Sequence, residues 1–227
     1  QVNMDICKKD LHDSWEAEQM GFSAFDNLAP SFADFVIGHV ASKVADRTEK
    51  NIWSGSTAVS GQFDGFGTKL AADAALPAGQ ELTGAAITSA NVIAELGTVV
   101  DAIPTAVYGS EDLYIYAASD VVRAYTRALG GFQSGGQGAN GYENKGNNQS
   151  LGSLFFDGIP VVAARGAAAG TIIAAEKSNL FFGTGLLNNL NEVRVIDMAE
   201  NDGSQNVRVV MRFTAGVQYA QVTDIVL

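Results

Sequence analysis

The stretch from Ser31 to Trp53, SFADFVIGHVASKVADRTEKNIW, carries the longest unbroken helical pattern in the chain, and a helix of that length sets the scale of the fold around it. Phe32, Phe35, Val36, His39, Val40 and Val44 recur at spacings of three and four, which places them on one helical face. Pro30 precedes the pattern, Ser31 is placed to cap the first turn, and Asp34 sits where a carboxylate completes a capping box and meets the positive end of the helix dipole. Asp34, Lys43, Asp46, Arg47 and Glu49 fall on the other face. The pattern stops at Gly55, where SGSTAVSGQFDGFG brings a glycine every few residues. The expectation is a strut of about six turns.

The rest of the chain reads as material packed against that strut. With 227 residues it is long enough for one large domain or two small ones sharing a core. Val2, Met4 and Ile6 alternate with Asn3 and Asp5, as at the end of a strand whose partner is not evident in the sequence, a hint of truncation. DLHDSWEAEQM then suits a short amphipathic helix. Residues 55–84 hold several glycines and Pro77 without a sustained period, and read as a surface excursion. In SANVIAELGTVVDAIP, with Thr88 or Ser89 as cap, Val92, Ile93, Leu96, Val99, Val100 and Ile103 share a face, and Pro104 ends the helix.

Leu113 to Ala117 is a short strand-like run, and Ser119 opens a further helix with Val121, Val122, Tyr125 and Leu129 as its stripe and Gly130 and Gly131 as its stop. Helix, strand and helix in that order belong to a small α/β layer. Residues 130–152, GGFQSGGQGANGYENKGNNQSLG, are too polar to bury anything and read as a long functional or disordered loop. Beyond it the pattern changes to strands: SLFFDGIPVVAA, GTIIAAE, NLFFGTG, NEVRVIDMAE and QNVRVVMRFTAGVQYA. In the last, Val207, Val209, Met211 and Phe213 alternate with Arg208, Val210, Arg212 and Thr214, and Asp202 and Gly203 supply a hairpin turn. The expectation is an antiparallel sheet in the C-terminal third.

Chemistry is harder to find than structure. Fourteen basic and 25 acidic residues give a formal charge of −11, which argues against phosphate-driven nucleic-acid binding. The single cysteine, Cys7, forbids an internal disulfide and lacks a His/Asp signature that would make it a nucleophile. Gly136, Gly138 and Gly141 match GxGxxG by letter, but loop surrounds them where the dinucleotide motif needs a strand before and a helix after. Lys69 follows two glycines without phosphate-loop spacing. His12 and His39 are too far apart for a metal pair, and His39 on the apolar face is expected to be a satisfied core histidine. Asp197, Glu200 and Asp202 cluster at a hairpin end without a DxDxDG loop, and Asn148, Gln149 and Ser150 form a glycosylation sequon with no secretion signal beside it. No run approaches the roughly 18 apolar residues of a membrane helix. The reading is therefore no enzyme, no catalytic residue, no cofactor, no metal and no membrane partner.

The order of parts resembles the major capsid proteins of tailed bacteriophages, the Hong Kong 97-like fold. The strut followed by IWSGSTAVSGQFDGFGTKL looks like that family's spine helix and the glycine-bearing segment after it. ANVIAELGTVVDAI, LYIYAASDVVRAYTRAL and the closing run from SLFFDGIPVVAARG to VRVVMRFTAGVQYA look like its axial domain and the return into the peripheral sheet. The resemblance implies an α+β fold with a peripheral domain in residues 1–84, an axial α/β domain in 85–190 and returning strands in 191–227. It implies a subunit that assembles with itself into hexamers and pentamers of an icosahedral head, with scaffold, portal or other capsid proteins as further partners and DNA held non-specifically. Its places would be the virion and, during assembly, the host cytoplasm. It also implies that the N-terminal arm and most of the extended hairpin preceding the spine helix are missing, so that this chain assembles poorly by itself. Loop 130–152 would lie near the capsomer centre. Two other classes fit parts of the pattern: a secreted or surface β-rich adhesin, marked by a leader upstream of Gln1, and a small α/β enzyme, marked by a pocket with perturbed carboxylates.

Overall fold

The computed structural model describes residues 2–7, 32–129, 154–185, 193–198, 203–204 and 206–227. The expected helix in DLHDSWEAEQM, the cap at Pro30 and Ser31, the stop at Gly130 and Gly131, and loop 130–152 lie outside them. The described residues hold nine strands and four α-helices, in two compact units. One comprises residues 1–48 and 184–215, the other residues 49–183 and 216–227.

The strut is present as α1, Phe32–Ser54, 23 residues long. In the first unit its N-terminal part packs on a three-stranded antiparallel sheet of β1 (Val2–Cys7), β8 (Asn206–Met211) and β7 (Val193–Asp197), with β8 in the centre. Val36, Val40 and Val209 are fully buried there, flanked by Met4, Ile6, Phe35, Val44 and Val193. The partner that the N-terminal strand lacked in the sequence is β8, paired from Val2 with Met211 to Cys7 with Asn206. A pattern of alternation fixes a strand but carries no address for its partner. His39 is exposed and is not a core histidine. At 100° per residue it falls about 60° to one side of Val36, at the edge of the stripe that Val36, Val40 and Val44 define.

The second unit is built on a four-stranded sheet in the order β3 (Leu154–Phe156), β4 (Ile159–Ala164), β2 (Leu113–Ala118), β5 (Ile172–Glu176). The C-terminal strands therefore do not form one antiparallel sheet: β4 runs parallel to β2, and the strands divide among three sheets. On one face lie α3 (Val92–Asp101) and α4 (Ser119–Ala128), burying Val92, Leu96, Val99, Val121, Val122 and Tyr125 against Leu113, Ile115, Val161 and Ala174. Ile93, expected in that stripe, is 48% exposed and lies at the edge of the arc that Val92, Leu96, Val99 and Val100 bury. The other face receives Phe66 and Leu70 from α2, Phe66–Ala72, together with Ile173, Ala175 and Val217. Strand β5 is thus buried on both sides, which is why its sequence is a continuous apolar run and not an alternation.

Helix α2 corrects the expectation of a featureless excursion over residues 55–84. Seven residues with only Phe66 and Leu70 buried are too few to show a period. The run QNVRVVMRFTAGVQYA also divides: β8 ends at Met211, and β9 (Ala215–Tyr219) pairs instead with β6 (Leu180–Thr184). Asp157 and Gly158 both have positive φ, 48° and 81°, and form the two-residue turn joining β3 to β4.

Candidate functional site

Of the residues singled out for chemistry, Cys7, His39 and Asp197 fall in the first unit and Lys69 in the second. Lys69 is engaged structurally: its Nζ donates to the Val217 carbonyl and to Gln218 Oε1, each at 2.7 Å. Cys7 is a free, half-buried thiol on β1. His39 stands on the exposed side of α1, and Asp197 ends β7. His12, Gly136, Gly138, Gly141, Asn148, Gln149, Ser150, Glu200 and Asp202 lie outside the described residues. Among the described residues no three His, Cys, Asp or Glu side chains approach as metal ligands would, and no helix is long and apolar enough to cross a membrane.

Among the described residues two acidic groups are perturbed, each by a specific partner. In the first unit Asp5 and Arg208 face each other across β1 and β8, with Nε to Oδ1 at 2.6 Å and Nη2 to Oδ2 at 2.8 Å. Hydrogen bonding to the guanidinium holds the Asp5 carboxyl below its usual range. In the second unit the Tyr219 hydroxyl donates to Asp73 Oδ2 at 2.5 Å, and the Ala75 N–H donates to Oδ1 at 2.9 Å. Those two bonds lower the Asp73 pKa, while desolvation and the same carboxylate raise Tyr219 to about 12. Both pairs tie elements together, and each shift moves its group away from neutral pH.

A concavity of about 540 Å³ in the second unit is lined by Leu82, Ile87, Val99, Ile172 and Leu227 with Thr98 and Glu95. Glu95 lies over the backbone at Gly84, where an added Cβ would come within 2.5 Å of Oε2. Glu95 shares the recess with the hydroxyl residues Ser54, Thr68, Thr83, Thr98 and Thr171 and accepts the Ala85 N–H at 3.4 Å, but no histidine, cysteine or lysine is among the lining residues, and no nucleophile–base pair is assembled there.

Unpaired apolar surface is the more informative feature. Phe155 and Val162 stand exposed on the β3–β4 hairpin, and Phe181 and Phe182, 52% and 47% exposed, are consecutive on β6. Consecutive strand residues point to opposite faces, so Phe181 and Phe182 place an exposed aromatic ring on each side of β6. The sequence displayed these as strand residues, but alternation alone did not tell which faces remain uncovered.

Neither a family model nor a curated protein sequence matches the chain. Solved structures do. That of Mycobacterium phage Che8 shares 13% identity with a TM-score of 0.56, over 99% of this chain and 68% of the other. The satellite phage P4 procapsid with its size determination protein shares 12% identity with a TM-score of 0.59, covering 99% and 73%. The capsid of a native GTA particle shares 15% identity with a TM-score of 0.55, covering 100% and 70%. These neighbours give the adhesin alternative no support. Correspondence over nearly the whole chain at such low identity is a likeness of architecture, and the architecture of this chain is the Hong Kong 97-like fold of phage capsid proteins.

Proposed function

We propose that the chain is a major capsid subunit, a structural protein that assembles with copies of itself into hexamers and pentamers of an icosahedral phage head. The observation that carries the reading is the fold itself, matched over 99–100% of the chain by capsids of separate origin at 12–15% identity. The absence of an assembled reaction site among the described residues and the exposed aromatic side chains on short strands support it. In this reading α1 is the spine helix, residues 1–84 and 191–227 belong to the peripheral domain, and residues 85–190 form the axial domain.

The formal charge of −11 suits a container whose wall does not grip its DNA, so that packing and release proceed without stripping many phosphate contacts. Packaged DNA is then a non-specific neighbour, and scaffold, portal and other capsid proteins are the specific ones. The virion is its final place and the host cytoplasm its place during assembly.

The test is negative-stain microscopy and light scattering on the purified chain, alone and extended by the residues that precede it in its reading frame. Rings or closed shells from either support the reading. Monodisperse monomers from both overturn it.

A further inference from the structure

The recess of the second unit takes no part in the assembly reading, and its walls restrict the kind of molecule it can hold. The end of α1, helix α2, residues 82–87, helix α3 and the β4–β5 connection close around it, with Leu227 at one side. Its volume of about 540 Å³ falls within the roughly 300–1,000 Å³ of small-molecule sites. Leu82, Ile87, Val99, Ile172 and Leu227 give it an apolar wall. Two of these are pinned to each other, since the Leu82 N–H donates to the Leu227 carbonyl at 2.8 Å.

The polar groups are mostly acceptors. Glu95 is the one ionisable side chain among the lining residues, and no cationic side chain pairs with it among the described residues. Its Oε1 accepts a long bond from the Ala85 N–H, 3.4 Å, and its Oε2 accepts none among the described residues. Three lining hydroxyls have already given their single proton to backbone carbonyls: Thr98 to Ala94 at 3.1 Å, and Thr68 to Gly55 and Ser54 to Gly166 at 2.7 Å each. Those three keep only lone pairs, which leaves Thr83 and Thr171 as the hydroxyl donors.

A ligand carrying a carboxylate or phosphate would therefore meet another carboxylate and no lysine, arginine or histidine. A primary ammonium brings three N–H donors and the missing charge. No aromatic ring lines the recess, so a quaternary ammonium would find neither a hydrogen bond nor a cation–π face.

We infer that the recess binds a small primary alkylamine, its ammonium on Glu95 and its chain along Leu82, Ile87, Val99 and Ile172. A buried ammonium is costly unless it is paired, which sets the head group at Glu95 and leaves the apolar wall to the chain. The inference is independent of the self-assembly reading, because residues of the second unit of one chain form the whole recess.

The test is isothermal titration calorimetry of the wild-type chain with n-octylammonium chloride, at neutral pH and low ionic strength. Saturable binding of one equivalent is expected. Glu95→Gln keeps the shape of the side chain and is expected to weaken binding by about tenfold or more, the scale of a hydrogen bond to a charged group. Ala169→Trp, at an exposed lining position, is expected to abolish binding by filling the recess. Circular dichroism and thermal unfolding show that both variants fold. n-Octanoate, with the same chain and the opposite charge, and n-octyltrimethylammonium, with the same charge and no N–H, are expected to bind about tenfold more weakly or not at all. The site is overturned if octylammonium does not saturate at one equivalent, if either folded variant binds it like wild type, or if either analogue binds equally well. Tighter binding of Nα-acetyl-lysine N-methylamide overturns it too, by assigning the recess to a lysine side chain of another protein. Rings and shells under the microscope are a separate readout, so the capsid reading stands or falls without this one.

Discussion

Ile225 and Val226 are neighbours in the chain and fully buried in different cores: Ile225 packs with Phe66, Leu70 and Ile173, and Val226 with the cluster of α3, α4 and the other sheet face. Alternation at the end of the chain thus fills both sides of one sheet from a single two-residue segment. The Leu227 N–H donates to the Gln80 carbonyl and the Leu82 N–H to the Leu227 carbonyl, which fix the segment on both flanks. Ile225→Ala is expected to cost about 2–5 kcal/mol, the range for truncating a large buried aliphatic residue. Removing residues 225–227 is expected to abolish cooperative unfolding. Urea denaturation of both variants checks this, and an Ile225→Ala loss below about 1 kcal/mol would show that the segment is not part of the core.

Glycines make a sharper forecast, since two of them carry opposite expectations. A Cβ on Gly166 would stand 2.2 Å from the Glu49 carbonyl oxygen and 2.6 Å from the Lys50 Cα, both backbone, and the Gly166 carbonyl accepts the Ser54 hydroxyl at 2.7 Å. Gly166→Ala therefore forces apart the C-terminal turns of α1 and the β4–β5 connection, at a cost of about 3 kcal/mol or more. Gly97, within α3, has nothing within 4 Å of its Cβ direction. Gly97→Ala is expected to stabilise by about 0.5–1 kcal/mol through helix propensity. Melting curves of the two variants should move in opposite directions.

How far the sequence reveals this molecule depends on where each residue's partners lie. The stripe of α1 and that of α3 are local, and Val36, Val40, Leu96 and Val99 are buried as their spacing predicts. The alternation of Val207 and Val209 with Arg208 likewise appears on β8. Two of the failures were non-local and a third was one of length. Strand β1 gave no sign that its partner lay some 200 residues away, β4 gave none that it would run parallel to β2, and the seven residues of α2 were too few to show a helical period. The turn at Asp157 and Gly158 is passed over when SLFFDGIPVVAA is read as one strand, although Asp-Gly between two apolar runs is a hairpin signal. The fold family was legible through the order and length of parts, which survives after residue identity has fallen to 12–15%.

Acid stability should respond to Asp5. Its folded-state pKa is lowered, by hydrogen bonding to Arg208 before any other cause, so the pair stabilises at pH above the ordinary carboxylate value and loses that contribution as pH falls through the lowered one. Asp5→Asn is expected to flatten stability over that acidic window and to leave the alkaline side unchanged. The pair is solvent-exposed, so the effect should shrink in high salt. Urea midpoints across the acidic range, at low and high ionic strength, measure it; a salt-independent effect would count against the ion pair as the cause.

Alkaline stability should respond to Tyr219. Its pKa is raised from 10.0 to about 12, first by desolvation and then by the hydrogen bond to Asp73 and the charge of that carboxylate. A phenol with a raised folded-state pKa favours the native state fully below its unfolded value, near 10, and loses that advantage as pH rises toward 12. Tyr219→Phe removes the ionisable group, so the variant is expected to be less stable than wild type at neutral pH and to converge on it as pH rises through that window. The Asp73 carboxylate, keeping the bond from the Ala75 N–H but losing that from the phenol, should show a smaller downward displacement in the variant. Tyrosinate absorbance during an alkaline titration, wild type against Tyr219→Phe, should lose one late-ionising group. If the lost group ionises instead with the ordinary tyrosines, the bond from Tyr219 to Asp73 does not hold in solution, and the tie it provides between β9 and the residues following α2 is absent with it.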